Sequence, residues 1–155
     1  MPFLPQPQLE FFADISARVG PAHEIGNTPT GNRRVIPILG GEVQGDGWKA
    51  RVLPGGADFQ VIVSPTMAHL DARYVLETDA GDLIYVKNRA IRVASAEATA
   101  RLIKGEPVDP TAVYFRCVPS FETSSPALLW INERLFIGAG LRRPDEVRIS
   151  CFVLK

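Results

Sequence analysis

The chain has 155 residues, 46% of them hydrophobic, and its 17 lysines and arginines are balanced by 17 aspartates and glutamates. This length predicts one domain spanning residues 1–155, and the hydrophobic content supplies a real core and excludes bulk disorder. A net charge of zero excludes recruitment of nucleic acid or an anionic membrane by bulk charge. It also leaves little repulsion against self-association, so we expect a homo-oligomer.

The N-terminal segment carries no secretory signal, because no basic stretch precedes an apolar one and prolines interrupt it. Residues 1–8 are predicted to form an extended arm. No apolar run reaches the ~20 residues of a membrane-spanning helix, so the expected location is the cytoplasm. Cys117 and Cys151 each lie in an apolar run. Two buried, reduced thiols are therefore favoured, and one disulfide is the alternative.

In chain order, the first strand, Leu9–Val19, alternates apolar and polar side chains with a period of two, except at Phe12. The turn-rich segment 21–34 that follows is predicted to be a loop. A strand hairpin is predicted over residues 71–92. The other predicted strands lie within 34–45, 48–56, 57–65, 111–118, 127–141 and 146–155.

One segment, residues 95–105, has the signals of a short helix. Ser95 can cap its N-terminus, Glu97 suits the first turn and Gly105 can end it. A succession of short strands with one minor helix predicts an all-β fold, an antiparallel sheet of about eight to ten strands. At this length such a sheet forms a closed barrel or a sandwich, and closure would remove the exposed strand edges.

The hairpin favours the barrel. If Ala80 and Gly81 form the tip of its turn, both faces of the hairpin mix polar and apolar side chains. A barrel wall fits this pattern, because its inner face can line an amphipathic cavity. We expect the face with Tyr74, Tyr85 and Arg89 to point inward and to bind a ligand. A register slip of one residue would invert the assignment.

Several stretches, taken in order, resemble a known family: "GGEVQGDGWKARVLPGGADFQ", "DARYVLETDAGDLIYVKNRAIR", "YFRCVPSFETSSP" and "WINERLFIGAG". Together they resemble domain-of-unknown-function family 3237, also called uncharacterised protein family 0311. The resemblance implies an antiparallel barrel of the calycin or allene-oxide-cyclase-like kind, often oligomeric. It implies no settled activity. A minority of relatives resemble cofactor-free cyclases or isomerases that act on small oxygenated, often aromatic, molecules.

Two carboxylates are candidates for proton transfer. Asp58 follows Gly55 and Gly56, which permit a sharp bend, and it could act as a general base at the mouth of a barrel; the alternative is an Asp that satisfies turn amides. Glu122 lies beside Phe121, where desolvation could raise its pKa and make it an acid. The alternative for Glu122 is a solvated loop residue.

The remaining candidates are ligand-binding side chains. The segment "KNRAIR" offers Arg89 and Arg92, and Arg116 lies in an apolar strand, where an arginine is costly unless it is paired or faces water, while a free guanidinium could bind an anion. Asn132 could bind polar groups of a ligand, whereas its neighbour Trp130 is expected in the core. No zinc-ligand cluster and no nucleotide-binding motif is present, so neither a metal nor a cofactor is predicted.

We therefore predict a barrel that binds a small organic ligand in the cytoplasm, without nucleic acid or membrane as a partner. If it is an enzyme, cofactor-free acid–base chemistry such as ring closure or isomerisation is expected. The alternatives are a non-catalytic carrier or sensor with the same cavity, and a structural oligomer whose charged faces form subunit contacts.

Overall fold

The computed structural model describes residues 1–155, which form a closed antiparallel barrel of eight strands with two additional strands. The strands are β1 (Leu9–Val19), β2 (His23–Thr28), β3 (Gly31–Gly45), β4 (Lys49–Val52), β5 (Gly56–Ser64), β6 (Met67–Thr78), β7 (Leu83–Ala94), β8 (Val113–Glu122), β9 (Phe136–Arg142) and β10 (Glu146–Leu154). The predicted antiparallel barrel is confirmed, and a two-sheet sandwich is not formed.

The barrel closes where β3 pairs with β1. Around the wall the order is β1, β10, β9, β8, β7, β6, β5 and β3, and β2 and β4 pair with the ends of β3. The first part of β3 pairs with β5 and its last part pairs with β1. Gly41 lies at this closure with a φ of 149°, and a side chain there would collide with the carbonyl of Ser16. Only glycine therefore allows the two strands to approach this closely.

One end of the barrel interior is solid. The ring of Phe12 lies at the centre of an aromatic cluster, and ring centroids 4.9 to 5.6 Å away surround it. We call this the aromatic end; its rings are the buried Phe12, Phe121 and Phe136, the partly buried Trp48, and Trp130, which is 42% exposed and not fully in the core as expected. The burial of large aromatic side chains is a major source of folding free energy. The expectation that the whole inner face lines a cavity is therefore wrong for this end.

The predicted helix is confirmed as α1 (Ala96–Ile103), and the hydroxyl of Ser95 accepts a hydrogen bond from the amide of Ala98 at 3.1 Å. The buried guanidinium of Arg34 donates to the carbonyl of Ile103, with 3.1 Å between the atoms. This contact holds α1 at the end of the barrel where β7 ends and β8 begins. None of the helices has the length and apolar character needed to cross a bilayer.

Two predicted elements differ from the structure. The predicted loop contains β2, His23–Thr28, because the chain turns back there and pairs with the start of β3. The predicted strand over 127–141 begins instead as a 3₁₀ helix, Pro126–Glu133, before β9. This helix begins at Pro126, and proline is favoured at the first position of a helix.

The hairpin of β6 and β7 has a register one residue away from the expected one. Glu77 lies opposite Leu83, so the turn contains an odd number of residues with Ala80 at its centre. Tyr74 consequently lies opposite Val86 and shares the inner face with it. The side chains of β7 that were assigned to the inside therefore lie on the outside.

Candidate functional site

The second end of the interior, opposite the aromatic end, is polar. Inward positions on β3, β5, β6 and β7 and at the end of β9 place charged and amide side chains where a solid core would have aliphatic ones. We call this set the polar end; it consists of Arg34, Asp58, Gln60, Tyr74, Asn88, Arg92 and Arg142. Helix α1 lies over it.

Asp58 is the one carboxylate of the polar end. Its Oδ2 accepts a hydrogen bond from Nε2 of Gln60 at 2.8 Å, and its Oδ1 accepts one from the backbone amide of Asp71 at 3.1 Å. Burial raises the pKa of Asp58 above its usual value, although the Gln60 hydrogen bond and the charge of Arg92 oppose the shift. A carboxyl group with a raised pKa can exchange a proton closer to neutral pH than an ordinary Asp.

Gly56 allows β5 to begin close to Tyr74. A β-carbon at Gly56 would lie 2.5 Å from the carbonyl oxygen of Arg73 and 2.5 Å from the β-carbon of Tyr74. Burial raises the pKa of the Tyr74 phenol far above its usual value, so the hydroxyl stays protonated. The close approach of backbone that the Gly pair was expected to allow is thus seen at Gly56.

Four buried polar atoms near Asp58 have no hydrogen-bond partner. They are Oε1 of Gln60, Oδ1 of Asn88, Nη2 of Arg92 and Nη1 of Arg142. Folded proteins leave few buried polar atoms unpaired, because each costs about 1 to 3 kcal/mol and more when the group is charged. Their concentration in one region distinguishes the polar end from an ordinary core.

The three arginines of the polar end differ in their contacts. Arg34 is satisfied, because its Nε donates to Glu24 at 3.0 Å and its Nη2 donates to Ile103. Arg92 is only 3% exposed, and burial lowers its pKa to about 10. Burial also lowers the pKa of Arg142, and the charge of Arg34 adds to that effect.

The enclosed cavity is small. A space of about 40 Å³ lies among Asp58, Tyr74, Asn88 and Arg142, with Ala72 of β6 and aliphatic side chains of β1, β3 and β10 forming the rest of its wall. A pocket for a whole drug-sized molecule is usually 300 Å³ or more. In this conformation the cavity therefore has room for one polar functional group or for one or two water molecules.

Of the residues predicted to bind or transform a ligand, the structure brings Asp58 and Tyr74 together in the polar end. Tyr85 and Arg89 lie on the outer face, and Tyr85 is 39% exposed. The prediction that these two side chains point inward is wrong, because it depended on a turn with an even number of residues.

The other predicted site residues are also outside. Glu122 is exposed on β8 opposite Tyr85, far from Asp58 in the topology, so the two candidate carboxylates do not face each other. Asn132 closes a loop: its amide exchanges hydrogen bonds of 2.8 and 2.9 Å with the backbone of Thr123. Arg116 is exposed on β8, with its guanidinium 5.3 Å from the ring centroid of Tyr114.

Arg89 and Arg116 do share one feature, a groove of about 720 Å³ on the outer face of β6 to β9. Its walls are mainly apolar and include Ile91, Val118 and Ile137. The buried thiols of Cys117 and Cys151 are free. No group of three His, Cys, Asp or Glu side chains is placed to hold a metal ion.

Sequence reasoning missed Arg34, Gln60, Asn88 and Arg142 as members of the site. A signal existed for one of them, since Asn88, like Arg92, is in phase with the apolar residues Ile84 and Val86 on one face of β7. A polar side chain in phase with core residues is a candidate for an internal site. Arg142 gave no such signal, because it lies at the end of its strand.

The fold and the polar end define the chain as a closed antiparallel β-barrel with one solid end and one polar end. The chain belongs to the DUF3237 family, described as "Protein of unknown function (DUF3237)", whose family model matches residues 7–154. A UPF0311 protein of Rhodopseudomonas palustris strain TIE-1 is 46% identical over 146 residues, which cover 94% of this chain and 95% of the relative.

Solved structures show the same barrel. A conserved protein of unknown function from Rhodopseudomonas palustris has a TM-score of 0.92 at 43% identity, with 98% of this chain and 100% of that chain covered. A β-barrel-like protein from Acinetobacter baumannii AYE has a TM-score of 0.85 at 40% identity, with 98% of both chains covered. An enzyme from Penicillium herquei shares the fold, with a TM-score of 0.72 at 18% identity over 100% of both chains.

Proposed function

We propose that the polar end binds a small oxygenated organic molecule and that Asp58 exchanges a proton with it, in a cofactor-free ring closure or isomerisation. The observation that carries this proposal is the set of four unpaired buried polar atoms around a carboxyl group whose pKa is raised. A ligand with hydroxyl and carbonyl groups would supply the missing hydrogen bonds.

The groups of the polar end have complementary roles in such a reaction. Asp58 would accept or donate the proton, and the neutral Tyr74 hydroxyl could donate a hydrogen bond to a developing oxyanion. Holding a flexible molecule in its reactive conformation can itself lower a barrier by several kcal/mol, on the order of 7 or more in the best intramolecular cases. A cofactor-free catalyst is therefore feasible.

The small cavity sets a condition on binding. A polar group of the ligand fits the space of about 40 Å³, and the rest of the molecule would occupy the region that α1 covers. The contact from Arg34 to Ile103 is the hydrogen bond that holds the end of α1. Binding of a larger molecule would thus displace α1.

The backbone amide of Asp71 provides a reporter for the test, because it donates to Asp58. In a nuclear magnetic resonance titration with phenol and with benzoate, we expect shifts at Asp71 and at the side-chain amides of Gln60 and Asn88. Gly45, which lies near the aromatic end, serves as the control. Native mass spectrometry of freshly purified protein would identify a retained molecule. An absence of both shifts and retained molecule would refute the proposal.

Proton transfer has its own test. In D₂O the wild-type protein should catalyse deuterium incorporation at a carbon of the retained molecule, and Asp58→Asn should not. A non-catalytic carrier or sensor is the second candidate, and the presence of only one carboxylate in the polar end favours it. The carrier predicts binding by both proteins with no incorporation in either.

A further inference from the structure

The charges of the polar end are unbalanced. The polar end holds three arginines, Arg34, Arg92 and Arg142, and one carboxylate, that of Asp58, and the half-exposed Glu24 neutralises only Arg34. Asp145 lies near Arg142, but it makes no salt bridge with it within 4.0 Å. The interior thus holds an excess of positive charge.

Arg92 and Arg142 are the two cations without a counterion. Neither forms a salt bridge, and each has a buried guanidinium nitrogen without any hydrogen-bond partner. A buried charged group is costly unless it is paired, and the cost is greater when two like charges lie near each other. Arg92 and Arg142 are close enough for the charge of Arg142 to affect Arg92.

Asp58 is not the counterion of Arg92 or Arg142. Both of its carboxyl oxygens already accept hydrogen bonds, from Gln60 and from the amide of Asp71, and neither lies within 4.0 Å of an arginine nitrogen. The missing partner of the two guanidinium groups is therefore not supplied by this chain. An anionic oxygen is the group that guanidinium donors bind best.

The orientation of Gln60 adds a second requirement. Its Nε2 donates to Asp58, and its Oε1 has no hydrogen-bond partner although the residue is only 1% exposed. Only a donor, such as a hydroxyl group, can satisfy that oxygen.

We infer that the ligand of the polar end is a small hydroxy acid or enol acid, whose anionic oxygen is bound jointly by Arg92 and Arg142 and whose hydroxyl donates to Gln60. This inference rests on the proposed function and narrows it to a substrate class. It adds a charge requirement that a neutral phenol or ketone would not meet.

Salicylate and salicylamide are suitable probes, because they have the same shape and hydroxyl group and differ in the charge of one substituent. We expect wild-type protein to bind salicylate at least about ten-fold more tightly than salicylamide, measured by calorimetry, as hydrogen bonds to charged groups are typically that strong. Benzoate, which lacks the hydroxyl, should bind more weakly than salicylate.

Variants assign the effect to the two arginines. Arg92→Met and Arg142→Met should each weaken salicylate binding at least about ten-fold without changing salicylamide binding. Arg134→Met is the matched control, because it removes the same charge at an exposed position beside the aromatic end. Arg92→Lys should recover part of the salicylate affinity that Arg92→Met loses. If the Arg92 variants do not fold, the comparison of wild-type protein with Arg142→Met still tests the inference.

The outcomes separate the inference from the proposed function. If salicylate and salicylamide bind equally, shift the Asp71 amide resonance and are unaffected by the arginine variants, the ligand does not need to be an anion. The proposed function would then still stand. Binding of neither probe would overturn the inference, and the titration with phenol would then decide the proposed function independently.

Discussion

The side-chain amide of Gln60 donates to Asp58 at 2.8 Å, while the carbonyl oxygen of the same amide has no partner. Asp58 is thereby held in place inside the barrel without gaining enough hydrogen bonds to offset its burial. Its pKa is raised for that reason, and this has a consequence for the dependence of stability on pH.

Asp58→Asn should change how stability depends on pH. Because the folded-state pKa of Asp58 lies above its unfolded value, the native state binds the proton more tightly, and the free energy of unfolding falls as pH rises from about 4 through the folded-state pKa. The variant lacks this decline. The difference in unfolding free energy, variant minus wild type, should therefore increase from acid to neutral pH by about 1.4 kcal/mol for each unit by which the pKa is raised. Urea unfolding across this range measures it.

Asp109→Asn is a control with the opposite sign. The amide of Thr111 donates to the exposed Asp109 carboxylate and lowers its pKa, so this residue stabilises the fold above its unfolded pKa and loses that effect as pH falls. Asp109→Asn should thus be less stable than wild type near neutral pH and similar to it in acid. If the stabilities of Asp58→Asn and Asp109→Asn, each relative to wild type, changed in the same direction with pH, the opposite pKa shifts of the two aspartates would be contradicted.

Phe12→Ala should destabilise the aromatic end by about 3 to 5 kcal/mol, because it opens a cavity among four other rings. Chemical denaturation gives the change in the free energy of unfolding. Phe3→Ala is the matched control, since Phe3 is exposed before the first strand. A loss under about 1 kcal/mol for Phe12→Ala would show that the aromatic end is not tightly packed.

Gly41→Ala should disrupt closure of the barrel. The added methyl group would collide with the carbonyl of Ser16 on β1, and the φ of 149° is unfavourable for alanine. Gly47→Ala has a positive φ but open space around it, so it should cost only about 1 kcal/mol. We expect Gly41→Ala to lose at least about 2 kcal/mol more than Gly47→Ala in denaturation experiments; equal losses would argue against a close approach at the closure.

The two thiols should be unreactive in the folded protein. Burial raises the pKa of Cys117 and of Cys151, so neither forms the thiolate that reacts with disulfide reagents. Treatment with an aromatic disulfide reagent at mildly alkaline pH should label neither cysteine until denaturant is added, after which both should react. Rapid labelling of one thiol in the native protein would contradict its burial.

Much of the fold follows from local patterns. The period-two alternation of Leu9–Val19 and the capping residue Ser95 are short-range signals, and both elements formed where these signals predicted them. The strand His23–Thr28 gave no such signal, because it is held by pairing with β3 rather than by its own residues. Tertiary pairing of that kind cannot be recognised from a turn-rich segment.

The site was harder to predict, for a geometric reason. One residue more or less in the turn around Ala80 decides whether Tyr85 or Val86 faces inward, and the residues of the turn permit either length. The position of Tyr74 was unaffected by this ambiguity, since it depends on β6 alone. Residues such as Asp58 and Arg142 come to line one cavity only when the barrel is closed, so their association depends on the complete topology.

The two ends of the barrel have different roles, because one end is tightly packed and the other is not. Tightly packed rings at one end provide a reserve of stability, and that reserve lets the opposite end retain electrostatically costly groups. Substitutions that change chemical preference can accordingly be made beneath α1 while the scaffold stays intact, which makes this small barrel a suitable starting point for redesigning recognition.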